Sequence, residues 1–306
     1  MIRYYRHSGV QVSSAIALPE WAQFRDRGHS AEEADVTIAL TERPLAPTGM
    51  PDGAVVVQQR NIRFDVEGVG RWLVSQGRHI VVDPHTTGGA RELRLFTIGT
   101  AWGVLGYQRG WLMCHGSVVV PSGATRAILL TGASGQGKST TAAALVAAGG
   151  TLLADDLCRV ENRLEGGPAA HPSAGYLKLW RDGVEALGWS ARIAARDHYR
   201  ADKFLCDLPP EARAGAAPVP LDAIVVLAWG ETLSLQRIRG SEAFAAVISA
   251  ACYRPQALDA LGAWQGQTEA WLTLLQHTPV FRLQRPKDFA QISAASRLLE
   301  HLHVVS

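Results

Sequence analysis

The chain has 306 residues, 47% of them hydrophobic and 19% charged, and its 30 basic and 28 acidic residues leave a formal net charge of +2. That composition excludes a disordered tail or a fibre and leaves room for one large or two smaller globular domains. It also carries no broad basic surplus, so no nucleic-acid partner is expected, while a local basic pocket for phosphates is compatible with it.

The opening residues, MIRYYRHSGVQVSS, have no apolar core behind their basic positions, which predicts neither a secretory signal nor a transit peptide and a cytoplasmic chain. The longest apolar runs, 142–148 and 223–229, fall far short of the roughly 18 residues needed to span a bilayer, so no membrane association is expected. Up to about residue 83 the periodicity is mostly two. Ile62, Phe64 and Val66 alternate with polar residues, Ile80 and Val82 flank Val81, and 9–17 and 34–40 also fit short strands. Pro44, Pro47 and Pro51 mark turns between them. These strands predict a small β-rich domain over 1–90, without a catalytic constellation of its own, suited to packing, oligomerisation or substrate recruitment.

The segment His85-Thr-Thr-Gly-Gly-Ala90 is a compositional break, and a second domain is expected over 91–306. There a helix at 92–108 precedes apolar strands at 112–120 and 127–130, a helix at 138–148, strands at 151–154 and 223–228, and three later helices. Such alternation predicts the α/β class, a sheet covered by helices. Phe289, Ile292, Leu298, Leu299 and Leu302 form one helical stripe behind Pro286, which suits a first helical turn. A looser stripe of Leu258, Leu261, Trp264, Trp271 and Leu274 is also expected to face a core. Cys114, Cys158, Cys206 and Cys252 are scattered and form no C-x-x-C pair, so reduced, buried thiols are expected rather than disulfides or zinc. His301 and His303, two apart, point to different sides of a helix and read as a surface end rather than metal ligands.

Gly132-Ala133-Ser134-Gly135-Gln136-Gly137-Lys138-Ser139 matches G-x-x-x-x-G-K-[ST] between an apolar strand and the helix-forming run that opens at Thr140. In that P-loop pattern glycines let backbone N–H groups approach phosphate oxygens. Lys138 reaches the β- and γ-phosphates, the Ser139 hydroxyl can ligate Mg²⁺, and the helix N-terminus favours the anion. Nucleotide binding over 132–140 is expected. The next strand ends in Asp155-Asp156, and a β-α-β connection is expected to bring it beside the loop strand, one carboxylate toward Mg²⁺ and the other toward a nucleophile. His115 lies in an apolar, strand-like stretch, where a core histidine and a functional one both fit.

The order His115-Gly116, loop 132–139 and Ala154-Asp155-Asp156 resembles the catalytic domain of HPr kinase/phosphorylase, itself related in fold to phosphoenolpyruvate carboxykinase. Ser14-Ala-Ile-Ala-Leu-Pro-Glu20, Gln108-Arg-Gly110 and Leu177-Lys-Leu-Trp180 extend the likeness to HPr kinase-related serine kinases, some of which phosphorylate lasso-peptide precursors. The resemblance covers about 92–206 and implies a P-loop HPr kinase-like catalytic domain using ATP and Mg²⁺. By that resemblance Lys138 and the loop hold ATP, Ser139 and Asp155 organise Mg²⁺, and Asp156 accepts the proton of a serine hydroxyl. His115 sits beside that aspartate or the γ-phosphate, and Lys203, with Arg200 as substitute, supplies a further cation. True HPr kinases carry a downstream glutamate-arginine-glycine signature where this chain reads Leu177-Lys-Leu-Trp-Arg-Asp182. The implied acceptor is therefore a serine on a peptide or small protein, such as the C-terminal serine of a lasso-peptide precursor, rather than HPr. Dephosphorylation and the hexamer of that family are not implied, and a homo-oligomer stays open.

Three alternatives remain at this level. They are a free-serine or other small-molecule kinase, a nucleotide-gated binding protein without phosphoryl transfer, and a plain ATPase. A pyrophosphate donor also stays open, because the loop grips phosphates and ignores the base.

Overall fold

The computed structural model describes residues 1–26, 28, 34–85, 89–173 and 175–302. In chain order the strands begin with β1 (Arg3–His7), β2 (Val10–Ser14), β3 (Arg25–Asp26), β4 (Val36–Leu40), β5 (Val56–Gln58), β6 (Asn61–Val66), β7 (Gly70–Ser75) and β8 (His79–Pro84). Helices α1 (Ala90–Phe96) and α2 (Trp102–Gln108) follow, then β9 (Leu112–Cys114), β10 (Ser117–Val120), β11 (Ala127–Thr131), α3 (Lys138–Ala147), β12 (Thr151–Ala154), β13 (Cys158–Glu161) and β14 (Ala169–Ala170). Next come β15 (Tyr176–Trp180), α4 (Arg181–Ala186), β16 (Ile193–Arg196), β17 (Lys203–Asp207), β18 (Val219–Trp229), β19 (Ser234–Ile238) and α5 (Gly240–Ala251). The chain closes with α6 (Pro255–Leu261), α7 (Trp264–His277), β20 (Val280–Arg285) and α8 (Ile292–Glu300). This is a mixed α/β chain, and no helix among the described residues is long and apolar enough to cross a membrane.

Two compact units divide it: Met1–Met113 with Tyr253–Glu269, and Cys114–Cys252 with Ala270–Ser306. The first holds an eight-stranded mixed sheet in the order β3-β1-β2-β4-β8-β7-β6-β5. Alternation decides which side is core: Ile62, Phe64 and Val66 are all fully buried, and Phe64 stacks on Trp72 at 4.8 Å. The expected break near residue 90 falls inside this unit; residues 86–88 of that break lie outside the described residues. The helical segment that follows stays with the sheet because its apolar face is already used there. Trp102 meets Trp21 edge-on at 5.0 Å, and α2 packs on β7 and β8. The helix predicted over 92–108 is also interrupted by a π turn at Thr97–Ala101. Thr97 Oγ1 donates to the Leu93 carbonyl at 2.7 Å and accepts from Trp72 Nε1 at 2.9 Å, which draws the backbone out of the α ladder.

In the second unit β12-β10-β11-β18 run side by side, and β20 lies against the far part of β18, with β19 outside it. β11, β18 and β20 are parallel neighbours. The run 223–227 of β18 is buried throughout, as a central parallel strand requires. One expectation needs correction: β12 pairs with β10, antiparallel, so it is not beside the loop strand β11 but one strand removed. The short run 117–120 after His115 is apolar enough to take the inner place. A separate antiparallel sheet, β15-β17-β16, stands alongside.

The C-terminal stripe is only partly as expected. Ile292, Leu299 and Leu302 are buried, whereas Phe289 and Leu298 are 36% and 37% exposed. Pro286 precedes the helix instead of opening it: Asp288 caps a 3-10 turn, its carboxylate accepting from the Ala290 N–H at 2.9 Å, and α8 starts at Ile292. The looser stripe divides between α6 and α7, because Gly262 ends α6 in the left-handed conformation at φ +62°. Leu258, Trp271 and Leu274 are buried, while Leu261 and Trp264 are half-buried. The four cysteines form no disulfides, and Cys114, Cys158 and Cys206 are buried. His301 is exposed, and His303 lies outside the described residues.

Candidate functional site

The buried strand β11 runs into Gly132, whose φ of +147° and position against β18 leave no room for a side chain: a Cβ there would lie 2.8 Å from the Leu227 carbonyl oxygen. The loop turns through Gly135 and Gly137 at φ +85° and +83°, and α3 begins at Lys138. Lys138 Nζ folds back over the loop and donates to the carbonyls of Gly132 at 2.8 Å and Ala133 at 3.2 Å. Burial lowers its pKa, with Asp155 and Asp156 opposing. Ser134, Gly135, Gly137, Lys138, Ser139 and Thr140 line a cleft of about 240 Å³, while Gly132, Ala133 and Gln136 shape the turn behind it.

Asp155 and Asp156 leave the end of β12 in different directions. Asp155 is 4% exposed; its Oδ1 accepts from Ser117 Oγ at 2.6 Å and Ser139 Oγ at 2.9 Å, and its Oδ2 from the Lys178 N–H at 2.9 Å. Asp156 adopts φ +75° and turns its carboxylate into the cleft. There Lys178 Nζ donates to Oδ2 at 2.8 Å, and His115 Nδ1 stands 3.6 Å from Oδ1 and 3.0 Å from the Asp156 carbonyl oxygen. The Lys178 ammonium holds the Asp156 carboxyl well below the usual carboxylate range, more strongly than desolvation raises it. Burial is the largest single influence on Lys178 and works against its charge, yet Asp156, Tyr176 and Asp197 together outweigh it and its pKa rises. For His115, burial lowers the pKa and Asp156 resists.

His115 reaches this place because Gly116 lets the chain pass close over β11, where a Cβ would lie 2.5 Å from the Leu130 carbonyl oxygen. Lys203 opens β17 opposite Trp180, its ammonium 5.9 Å from the indole centroid, and lines the cleft with Arg200. Burial lowers its pKa against the pull of Asp156 and Asp155.

The structure thus brings His115, Lys138, Ser139, Asp155, Asp156, Lys203 and Arg200 to one cleft inside the second unit. It adds Lys178, Trp180, Trp229 and Arg285, which the sequence reading gave no role. Three were legible from the alternation of their strands. Leu177 and Leu179 are buried, so Lys178 and Trp180 must turn to the other face of β15, and Arg285 follows Phe281 and Leu283 on the buried side of β20. Trp229 gave no such signal.

Ser139 and Asp155 present hard oxygens, one hydroxyl and one carboxylate, the donor set that suits Mg²⁺ when a phosphate supplies further oxygens. No group of three His, Cys, Asp or Glu residues able to hold a metal ion occurs among the described residues, so such an ion fits here only together with a phosphate ligand. Ser139 Oγ and Asp155 Oδ1, 2.9 Å apart, are the oxygens that would hold such an ion.

No family model matches the chain, and no curated protein does. Among solved structures, the Hpr(Ser) kinase/phosphatase from Coxiella burnetii is similar at 13% identity and a TM-score of 0.34, over 63% of this chain and 94% of that one.

Proposed function

We propose that the protein is a serine kinase that moves the γ-phosphoryl group of ATP, with Mg²⁺, to a serine hydroxyl on a peptide or small protein. One observation carries this reading: the loop with Lys138 and the carboxylate of Asp156 face the same cleft. A nucleotide-binding module has no need of a second carboxylate in that place, whereas phosphoryl transfer needs an acceptor for the hydroxyl proton. The sequence likeness to HPr kinases supports the same reading and an HPr kinase-like catalytic domain for the second unit.

Lys138 and the loop N–H groups bind and orient the phosphates, and Mg²⁺ held at Ser139 with Asp155 supplies charge neutralisation of the phosphate oxygens. Asp156 Oδ1 orients the serine hydroxyl. The serine oxygen forms a bond to the γ-phosphorus as the bond to the β,γ-bridging oxygen breaks, ADP leaves, and the hydroxyl proton passes to Asp156. Because Lys178 keeps Asp156 ionised and weakly basic, that proton moves late, as a loose transition state requires. His115 positions the carboxylate from its other side, and Lys203 faces the transferring group.

A peptide acceptor is supported by the rim. Trp180, 43% exposed, lines the cleft beside Lys203 and offers an apolar surface on which residues next to an acceptor serine would pack. A C-terminal serine of a lasso-peptide precursor is the acceptor that the sequence likeness favours.

Intact-mass measurement of serine-ended peptides, internal-serine peptides and free serine, after incubation with ATP, Mg²⁺ and protein, tests the proposal. A phosphate adduct on a peptide is expected and is expected to disappear with Asp156→Asn while ATP still binds. Adduct formation undiminished in that variant would sink the role of Asp156. ATP binding with no adduct on any acceptor would favour the nucleotide-gated binding protein.

A further inference from the structure

The side of the cleft away from the carboxylates is built by the ends of β18 and β20, where Trp229 and Arg285 are register partners. Arg285 is 4% exposed, and its guanidinium lies over the Trp229 ring at 4.4 Å. It also presses on the phosphate loop: a Cβ on Gly137, the residue before Lys138, would lie 2.5 Å from Arg285 Nη2. Only glycine at 137 leaves that space. The one hydrogen bond found for the guanidinium runs from Nη1 to the Pro286 carbonyl at 3.3 Å, and no carboxylate pairs with it among the described residues.

A buried guanidinium without an acid is held against a desolvation cost that an incoming anion would relieve. Its planar fork suits two phosphate oxygens at once, and stacking on an indole fixes the plane before the ligand arrives. Burial alone lowers its pKa, with no carboxylate raising it.

We propose that Arg285 binds the phosphates of the donor from the side of the loop opposite Asp155 and Asp156, with Trp229 holding the guanidinium in place. This rests on the phosphate-donor reading above and adds to it a cation from a strand far along the chain. The donor is then gripped by Lys138 from within the loop and by Arg285 across Gly137, and the γ end is left facing Asp156.

Calorimetric titration of the full chain with Mg²⁺-ATP and with Mg²⁺-pyrophosphate tests this in wild type, Arg285→Ala, Arg285→Met and Arg285→Lys, beside thermal unfolding without ligand. Kd is expected to rise roughly tenfold or more for both ligands in the Ala and Met variants, with Lys restoring only part because it lacks the fork. Unfolding temperatures of Met and Lys are expected to stay near wild type. Wild-type affinity in a folded Ala or Met variant would overturn the proposal, as would full affinity in Lys if the other two do not fold. Weakening for ATP but not for pyrophosphate would also overturn it, since Arg285 would then touch the nucleoside. If wild type binds neither ligand, the failure lies with the phosphate-donor reading itself.

Discussion

Asp156 shows how much chemistry depends on one backbone angle. At φ +75° it occupies a region that aspartate tolerates better than most residues, and the turn sends its carboxylate away from Asp155 although the two are adjacent. The sequence revealed both acids and the lysine and serine of the loop, because those residues sit together in one strand-loop-helix-strand run. It did not reveal Lys178, 22 positions from Asp156, since its pairing depends on where a second sheet stands. A different residue carries the clearest pH dependence. His171 is 3% exposed, with Nε2 at 3.2 Å from Glu161, and burial, helped by the charge of Arg159, pushes its pKa down to about 4. The native imidazole is therefore neutral where the unfolded one, near 6.5, already takes a proton. Stability from this group is complete above that value and falls as pH drops toward 4, by on the order of 3 kcal/mol. Urea unfolding at a series of pH values is expected to show that slope in wild type and a shallower one in His171→Asn; equal slopes would remove His171 as its source.

At the level of elements, the apolar stripe of α8 is half legible in the sequence. A spacing rule selects a face, yet it does not say how wide the contact is, and α3 covers only the side carrying Leu299. Leu299→Ala is expected to cost about 2–5 kcal/mol, and Leu298→Ala, at an exposed position, less than about 0.5 kcal/mol. Denaturant midpoints for the two variants compare them directly; similar losses would mean that the exposed edge of α8 is covered in solution. The placing of β12 teaches a related point. Crossover rules gave its direction relative to β11, which is parallel as expected, but β10 had already taken the adjacent position. Pairing order within a sheet is decided by competition among apolar strands, and a local motif does not register that competition.

Across the whole molecule, chain order and compactness disagree. Residues 253–269 belong to the first unit, so the second is assembled from 114–252 and 270–306. The sequence reading set its break at a polar, glycine-rich segment, a sound sign of a turn, but the next two helices keep their apolar faces on the preceding sheet. A fragment of residues 114–252 lacks β20 and α8, which leaves the edge of β18 and the apolar face of α3 bare. It is expected to bind a hydrophobic dye and to show no cooperative thermal transition by circular dichroism; a cooperative transition would mean that the missing strand and helix are dispensable. The same arrangement bears on biosynthesis. The loop that would hold phosphates emerges from the ribosome long before Arg285, so a nascent chain owns half a binding cleft until nearly all of the described sequence has been translated. With Arg285 binding the donor as proposed, that cation joins the loop only once the late strand has docked.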